Sequence, residues 1–494
     1  MASFQDIFSS VWSIAVAIFF LGASIFVHEL GHFLAARWRG MKVERFSIGF
    51  GPKIFGWFGR DGVEYRVAWF PFGGYVMLPQ MANLGAIEGE AKTDVSKLPP
   101  VSYRSKVITL SAGAFFNILF AIVLSIVIWA IGQQVAVEEQ SNVISSVLAT
   151  VKTSDGKTVQ SPAAAAGIKP GDSVLAVDGD SVATFSDIYQ GVILGSGRDK
   201  DNNPRVTLTI KRGEEKPFDV DVTPVYVDRG RDQFRDIGIS LAGKIVIAAV
   251  TADSAAAAAG LKTGDIFTHI DGDPIQTTAT VAEHIARTKG KQVIISYVRD
   301  GVAGTVTLTP RLTTNPDTQA SAYLLGVVLT PSLTFVTSHV APWAQVIKVV
   351  TDRWKTYVSL VSPHSDIGLN KMSGPVGIVT AISNIAKFDF MDVLVFVVLI
   401  NVSLAIFNML PIPVLDGGHI MFATIEKLRG RPLPPRFIMT TQSVFMLLLI
   451  MMMIYVTFFD VRRIIPQSKP VPTSAAQQAP AAQQQQQTTP APVK

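Results

Sequence analysis

The 494-residue chain contains no cysteine, which excludes disulfide bonds, iron–sulfur clusters and zinc sites built from thiolates. Any metal site must use histidine or carboxylate ligands, and only 7 histidines are present. Charged residues are also scarce, at 16%, whereas 48% of the residues are hydrophobic and the mean hydropathy is +0.35. This composition is typical of a membrane protein, and the length predicts several domains.

Basic residues are few, and the net charge of +5 does not indicate binding to nucleic acid. The sequence has no basic helix and no platform of alternating aromatic and basic residues, so we expect no nucleic-acid partner. Four apolar runs predict membrane spans near residues 11–36, 108–131, 390–409 and 444–459. The first run lacks the basic start and the cleavage site of a signal peptide, so we expect a retained anchor.

The basic residues that flank these runs predict the orientation of the spans. They lie after the first span, before the second, and between the third and fourth, at Arg37, Arg39, Arg104, Lys106, Lys427 and Arg429. The positive-inside rule places these two loops in the cytoplasm and the region between the second and third spans outside it. Arg462 and Arg463, after the fourth span, run against the rule.

The first span contains His28, Glu29 and His32 in the pattern His-Glu-x-x-His. On a helix the two histidines project from one face about 6 Å apart along the axis, so both imidazoles can reach one metal ion. Zn²⁺ accepts two imidazoles with a further ligand and a water, and Glu29 is the predicted general base. The alternatives are chance and a pair of structural histidines. The cost of these polar groups in a membrane helix favours a functional site.

A second unusual run, Asn408–His419, follows the third span and contains two prolines, which cannot continue a helix. Gly417 and Gly418 are expected to free the backbone, so exposed polypeptide is predicted at membrane depth, which is tolerated only around a polar site. The predicted orientation places Asp416 on the same side of the membrane as the two histidines. Because a carboxylate suits zinc and Asp416 stands where the helix breaks, it is the predicted third ligand, with His419 as the alternative.

Residues 46–79 are rich in glycine, aromatic and β-branched residues, which predicts short antiparallel strands around a turn at residues 60–62. Their apolar character favours a sheet that dips into the membrane beside the active site, and a small soluble hairpin domain is the alternative. In the second span Gly113 and Asn117 stand four residues apart. We interpret this pair as helix packing, with a role for Asn117 near the metal as the second interpretation.

An internal repeat lies between the second and third spans. The run Ser161–Asp172 (SPAAAAGIKPGD) recurs 93 residues later (254 − 161) as Ser254–Asp265 (SAAAAAGLKTGD). Each copy predicts a short helix that ends at glycine, two strands around a tight turn, a second helix and further strands. The pattern resembles the PDZ domain in its bacterial form, which binds extended peptides at a sheet edge. A pair of spacers without ligand is the alternative.

The predicted fold is a polytopic α-helical membrane protein with about four transmembrane helices and a membrane-associated β region. Two tandem PDZ-like α+β domains are inserted between the second and third spans. The predicted divisions are 1–132 (spans 1 and 2), 133–228 and 234–332 (PDZ-like domains), 333–388 (connecting region), 389–465 (spans 3 and 4) and 466–494 (disordered tail). In the connecting region, Trp343–Val361 is amphipathic and is expected to lie on the outer membrane surface.

The His-Glu-x-x-His pattern, the doubled repeat and the run Leu415-Asp416-Gly417 together make the chain resemble the site-2 protease family, in particular its bacterial members with two periplasmic PDZ domains. The resemblance implies zinc bound by His28, His32 and Asp416, with Glu29 activating water. It implies an enzyme of the bacterial inner membrane whose active site lies toward the cytoplasm. Implied substrates are single-pass membrane proteins, such as a trimmed anti-sigma factor or signal-peptide remnants, with access limited by the PDZ domains.

The resemblance also implies residues that bind substrate. Asn408 and Pro411 match the family's Asn-x-x-Pro pattern, and Gly73 and Gly74 match its membrane-reentrant β region. Ala114 stands where the family pattern has proline, which puts the local helix shape in doubt. We therefore favour an intramembrane zinc endopeptidase. The alternatives are an inactive scaffold with structural zinc, which would not need Glu29, and a metal-sensing transporter, for which paired membrane repeats are lacking.

Overall fold

The computed structural model describes residues 4–81, 98–241, 243–275, 277–314 and 321–465. They form two compact units, which we call the membrane unit (residues 4–134, 337–363 and 367–465) and the repeat unit (135–336 and 364–366). The predicted tail, 466–494, lies outside the described residues.

The helices are α1 (Phe4–Trp38), α2 (Tyr103–Ile131), α3 (Pro162–Ala165), α4 (Phe185–Leu194), α5 (Ala255–Ala258), α6 (Thr278–Thr288), α7 (Pro342–Val361), α8 (Pro375–Ile385), α9 (Phe390–Asn408), α10 (Asp416–Arg429) and α11 (Pro435–Ile464). Short 3-10 helices cover Val137–Gln140 and Leu369–Lys371.

The first eleven strands are β1 (Arg45–Phe58), β2 (Glu64–Met77), β3 (Gln133–Ala136), β4 (Ser146–Val147), β5 (Thr150–Lys152), β6 (Thr158–Gln160), β7 (Ser173–Val177), β8 (Asp180–Ser181), β9 (Val206–Lys211), β10 (Phe218–Val222) and β11 (Val225–Arg229). The others are β12 (Asp232–Asp236), β13 (Ile239–Ser240), β14 (Lys244–Val250), β15 (Ile266–Ile270), β16 (Asp273–Pro274), β17 (Val293–Arg299), β18 (Val302–Leu308), β19 (Arg311–Thr314), β20 (Ser321–Leu324), β21 (Val327–Ser332) and β22 (Phe335–Ser338).

Four of the described helices are long and apolar enough to cross a membrane: Val11–Trp38, Tyr103–Ile131, Phe390–Asn408 and Pro435–Ile464. They coincide with the four predicted spans. The second and fourth helices begin five and nine residues earlier than predicted (108 − 103 and 444 − 435), because hydropathy marks only the apolar part of a helix. The actual starts are set by Ser102, whose side chain caps α2, and by Pro435 in the first turn of α11.

The core of the membrane unit is formed mainly by α1, α2 and α9. Its buried members on these helices include Val16, Ala17, Phe20, Ala121, Leu124, Ile128, Val393 and Val397. Gly31 of α1 lies against Ala112 of α2, where a β-carbon on Gly31 would stand 2.8 Å from the Ala112 carbonyl carbon. The backbones of α1 and α2 therefore approach closely near the predicted metal ligands.

The Gly-rich region forms a hairpin of two 14-residue strands, β1 and β2, whose pairing is interrupted by register shifts. The turn between them lies where it is predicted. Residues 45–48 of β1 pair with both 64–67 and 74–77 of β2, so each strand consists of two shorter paired segments, in agreement with the predicted short strands. Near α1, Phe46 and Val63 pack with Phe33 in a small core. Farther along, the hairpin exposes large apolar side chains: Ile54, Phe55, Trp57, Phe58 and Trp69. Such a surface favours the membrane-associated interpretation over a small soluble domain.

The predicted amphipathic stretch is the helix α7. Its exposed apolar side chains include Trp343, Ile347, Trp354 and Val358, whereas Val346 is buried in the core of the membrane unit. The helix is therefore tied to the unit by one face and leaves apolar residues exposed on another, as expected for a helix at a membrane surface.

The last span is joined to the start of α8 by a buried carboxylate. Asp460 of α11 accepts hydrogen bonds from the backbone N–H groups of Gly374 and Gly377, each at 2.9 Å. Arg463 donates to the carbonyl of Met372 at 2.9 Å. The carboxylate satisfies free N–H groups at a helix N-terminus, and Arg463 is held by this contact, which accounts for a basic residue at that end of the span.

The repeat unit contains two hydrophobic cores, one for each copy of the repeat. In the first, the sheet order is β10-β9-β7-β8; in the second, it is β18-β17-β15-β14-β21, with β16 beside β15. Ile237 and Ile239 belong to the first core, and β13 pairs with β4. The predicted start of the second domain at residue 234 is therefore wrong. The first repeat extends to β13, because its last strand returns to pair with its first.

Each repeat contains the same ion pair, formed by the aspartate that ends the repeated motif and an arginine. Asp172 accepts two hydrogen bonds from Arg212, and Asp265 accepts two from Arg299, all between 2.6 and 2.7 Å. The bonds from Arg212 lower the pKa of Asp172. Burial alone would raise the pKa of Asp265, but Arg299 lowers it. Because the last aspartate of the motif binds an arginine in both copies, we infer that the two repeats arose by duplication.

Candidate metal centre

Three side chains from α1 and α10 converge on one point. The Nε2 atoms of His28 and His32 lie 3.1 Å apart, and each lies 3.3 Å from Oδ2 of Asp416. Among the described residues, these three side chains form the one group of histidine and carboxylate ligands that could hold a single metal ion. The predicted ligands, separated in sequence by 384 residues (416 − 32), thus come together.

The separations of the three ligand atoms fit zinc. Two ligands about 2.05 Å from Zn²⁺ in tetrahedral geometry are about 3.3 Å apart. The observed separations of 3.1, 3.3 and 3.3 Å match three edges of such a tetrahedron. In addition, Oδ2 of Asp416 is buried and forms no hydrogen bond with any described residue. A buried carboxylate oxygen without a donor is costly, and a cation at this point would satisfy it.

Both imidazoles are held through the nitrogen that does not face the ligand cluster. Nδ1 of His32 lies 2.8 Å from the carbonyl oxygen of Thr109, so it carries the proton and leaves the Nε2 lone pair free. Nδ1 of His28 lies 3.3 Å from the side-chain amide of Asn117. The amide oxygen can accept the Nδ1 proton when it faces the ring. These are the outer contacts that metal-binding histidines use.

Asn117 thus contacts a predicted ligand, which supports the second interpretation, a role near the metal, in addition to helix packing. The sequence could not identify Thr109, because its contribution comes from the backbone. It also could not identify Gly113, where a β-carbon would stand 2.6 Å from Cε1 of His28 and closer still to Nε2 of His32. Gly113 therefore leaves the space that the two imidazoles occupy.

Asp416 is the first residue of α10, where a carboxylate is stabilised by the helix dipole. Gly417 and Gly418 lie in the first turn of this helix and are buried. A β-carbon on either would stand within 2.5 Å of a carbonyl carbon, that of Met409 for Gly417 and that of Ile412 for Gly418. The prediction that the two glycines free the backbone is therefore wrong. They allow a regular helix to pack against the preceding loop, and this helix positions Asp416.

His419, the alternative third ligand, does not join the cluster. Its Nε2 atom lies 3.3 Å from the side-chain amide of Gln442 on α11. It lies one turn beyond Asp416 on α10, and its side chain contacts the neighbouring helix α11.

Glu29 is buried beside the hairpin. A β-carbon on Gly74 of β2 would lie 2.8 Å from Cγ of Glu29, so the absence of a side chain at Gly74 makes room for the glutamate. Gly73 has φ = 144°, in the region that favours glycine, and a β-carbon there would collide with Phe50. Both glycines therefore allow β2 to pass close to the glutamate that follows His28.

The predicted substrate-binding residues of the third span lie at the same place. The side-chain amide of Asn408 is 3.4 Å from Nε2 of His28. Pro411 is exposed in the loop between α9 and α10, three residues beyond Asn408. The four predicted substrate-binding residues thus lie on two segments, each of which contacts either Glu29 or His28.

Comparison with known proteins extends over most of the chain. The model of peptidase family M50 matches residues 16–452. The regulator of sigma-E protease RseP of Salmonella typhimurium is 31% identical over 439 residues, which covers 87% of this chain and 93% of the relative. Its counterpart from Escherichia coli K12 is 31% identical over 445 residues, with the same coverage. A putative zinc metalloprotease of Vibrio cholerae is 29% identical over 453 residues, covering 86% of this chain and 93% of the relative.

Among solved structures, the PDZ domain of an SdrC-like protein from Listeria monocytogenes is similar to a part of this chain. It is 22% identical, with a TM-score of 0.15, and the match covers 18% of this chain and 88% of that domain. A TM-score this low does not decide the fold of either repeat.

The family match includes the helices that carry His28, His32 and Asp416, and relatives more than 30% identical cover most of the chain. The donor set and its spacing independently fit a zinc ion. This protein therefore belongs to peptidase family M50 and is a zinc metalloprotease.

Proposed function

We propose that this protein is an intramembrane endopeptidase of the bacterial inner membrane that cleaves the spanning helices of single-pass proteins. The observation that carries this proposal is the position of two predicted metal ligands within a candidate membrane-spanning helix. His28 and His32 lie about 15 and 9 Å from the end of the helix Val11–Trp38, at its rise of about 1.5 Å per residue. A peptide bond that reaches them must therefore enter from the membrane.

In the proposed mechanism His28, His32 and Asp416 hold the zinc ion. Zinc, when bound, polarises the scissile carbonyl and makes its water more acidic. Glu29 takes the proton of the attacking water and passes it to the nitrogen of the leaving amine. The carbonyl of Thr109 and the amide of Asn117 keep the two rings oriented.

The hairpin is proposed to hold the substrate in an extended conformation. A helix ties its carbonyls in its own hydrogen bonds, so a spanning helix must unwind before water can attack it. The part of β2 that begins at Gly74 pairs with β1 along one edge, and Gly74 lies beside Glu29. An extended substrate added to this strand would place a peptide bond near Glu29. Asn408 and Pro411 would contact the same unwound segment.

The test uses purified protein in detergent and two matched model spans. One carries glycine or proline near the expected cleavage position, and the other carries leucine and alanine there. We expect zinc to copurify and the first substrate to be cleaved faster, because helix-breaking residues lower the cost of unwinding by about 1–3 kcal/mol per residue. Cleavage of a soluble peptide but of neither span would contradict an intramembrane substrate, and equal rates would contradict a limiting unwinding step.

We propose that the repeat unit restricts which substrates arrive. The distribution of basic residues supports a position of residues 134–332 outside the cytoplasm, with the active site toward the cytoplasm. The repeats would then take no part in the chemistry and would hold off substrates with bulky outer domains. Substrates without such domains would be admitted. The relatives named regulator of sigma-E protease support a trimmed anti-sigma factor as one admitted substrate, and signal-peptide remnants are another candidate.

Deleting residues 134–332, with the spans rejoined by a flexible linker, tests this filter. We expect unchanged zinc content, unchanged cleavage of a short model span, and faster cleavage of the same span fused to a bulky outer domain. The intact protein assayed on both substrates is the control. If the zinc-loaded deletion no longer cleaved the short span, the repeats would be part of the active enzyme and the filter would be rejected.

A further inference from the structure

Arg235, on β12 of the first repeat, is a fully buried arginine. Its side chain is 0% exposed. Nε donates to Oδ2 of Asp366 at 2.5 Å, but Nη1 and Nη2 have no hydrogen-bond partner among the described residues. A buried guanidinium with unused donors is costly and therefore indicates a site built for an acceptor.

The one strong acceptor that this arginine has comes from outside the repeat. Residues 364–366 belong to the repeat unit, although the residues on both sides of them belong to the membrane unit. The same Asp366 accepts a hydrogen bond from Arg198 through Oδ1 at 2.5 Å, and Arg198 also donates to the carbonyl of His364 at 3.0 Å. One carboxylate thus serves two guanidinium groups.

A second carboxylate lies near Arg235 but is used otherwise. A β-carbon on Gly195 would stand 3.2 Å from Oδ2 of Asp178 and 3.4 Å from Nη1 of Arg235. The other oxygen of Asp178 accepts the backbone N–H of Thr207 at 2.8 Å. The carboxylate of Asp178 reduces the net positive charge near Arg235. Asp366 remains the hydrogen-bond acceptor of the two arginines.

The second repeat shows that the fold does not require this arginine. The N–H of Ala163 bonds to the carbonyl of Ile237, as the N–H of Ala256 bonds to that of Leu325. Two residues before these carbonyl-bearing residues, the first repeat has Arg235 and the second has Tyr323, so the two side chains occupy equivalent positions. Tyr323 also packs beside Gly290, which follows the helix α6 closely, as Gly195 follows α4. An uncharged side chain therefore serves at this position, so the charge in the first repeat needs another explanation.

We infer that Arg198 and Arg235 form a carboxylate-binding site in the first repeat, and that Asp366 occupies it as an internal ligand. The bidentate fork of a guanidinium suits a carboxylate, and Asp366 accepts a hydrogen bond from each of the two arginines. While Asp366 is bound, the site is closed to carboxylates from outside. This inference concerns binding by the repeat and does not depend on the proposed cleavage reaction.

The test asks whether formate replaces the missing carboxylate in the intact protein. Asp366→Ala is compared with the wild type and with Asp352→Ala, whose aspartate is equally exposed at 18% but pairs with Lys348 instead. Hydrogen exchange of amides in 225–240 is measured in formate and in chloride at equal ionic strength. We expect Asp366→Ala to exchange faster in chloride and about tenfold more slowly when formate is added at ten times its Kd. The wild type and Asp352→Ala should not distinguish the two anions.

The double variant Arg235→Gln with Asp366→Ala should lose the response to formate, which assigns it to the arginine. If Asp366→Ala does not fold, Asp366→Ser leaves room for formate and provides the same comparison. Equal exchange in formate and chloride would overturn the carboxylate site. A wild type that responds to formate as strongly as Asp366→Ala would overturn the occupation of the site by Asp366.

Discussion

Replacing Glu29 by glutamine is expected to leave zinc bound and to lower the cleavage rate by about 10²–10⁴-fold, the usual contribution of a general base. The amide keeps the shape of the side chain beside Gly74 but cannot take a proton from water. Glu29 is not one of the three clustered ligands, so zinc retention should not change. Metal content by mass spectrometry and the rate on a model span, measured on the same preparation, check both parts.

Glu426→Gln is a suitable control, because Glu426 is a carboxylate of the same unit that pairs with Lys106 at 3.1 Å. Its variant should keep both zinc and activity. Full activity of Glu29→Gln would refute Glu29 as the base. Loss of zinc from Glu29→Gln would show that the glutamate helps to hold the metal, and the division of roles would have to be revised.

Gly113→Ala is expected to reduce zinc affinity at least about 100-fold, the upper end of what the loss of a contact behind a ligand costs. The added β-carbon would collide with Nε2 of His32 and stand 2.6 Å from Cε1 of His28. Either ring must then leave the position in which its Nε2 atom faces Asp416. Zinc affinity is measured by competition with a chelator, and activity should fall with zinc occupancy.

Gly22→Ala provides the matched control on α1. Apart from the adjoining backbone of its own helix, no described atom lies within 4 Å of a β-carbon added at Gly22. The substitution should therefore be tolerated and should favour the helix by up to about 1 kcal/mol. If Gly113→Ala bound zinc as tightly as Gly22→Ala does, the space around the histidines would be less restricted than the structure indicates.

The sequence predicted those parts of the site that depend on local pattern. His28, Glu29 and His32 share a helical spacing, and Asp416 stands at a recognisable break after an apolar run. Gly113 could not be assigned its role, because that role depends on how closely α1 and α2 approach. The same limit applies to Thr109, whose carbonyl accepts a hydrogen bond from His32, a residue 77 positions away.

The fold shows the same division between local and distant information. The spans and the repeat helices follow from composition and periodicity and are found where expected, within a few residues at most ends. The boundary between the repeats was misplaced, because β13 returns to pair with β4, about 90 residues earlier in the chain (239 − 147 = 92). Such a pairing leaves no local signal in two residues such as Ile239 and Ser240.

The separation of the ligands in the chain also affects how the enzyme is made. His28 and His32 are synthesised early, but Asp416 follows 384 residues later (416 − 32). At about 5–20 residues per second, roughly 20–80 s pass before the third ligand leaves the ribosome. During that interval the growing chain carries two histidines and the base without the aspartate. If Asp416 is the third zinc ligand, as we propose, a nascent protease beside other newly inserted helices is unable to cut them until the segment that carries Asp416 has been synthesised.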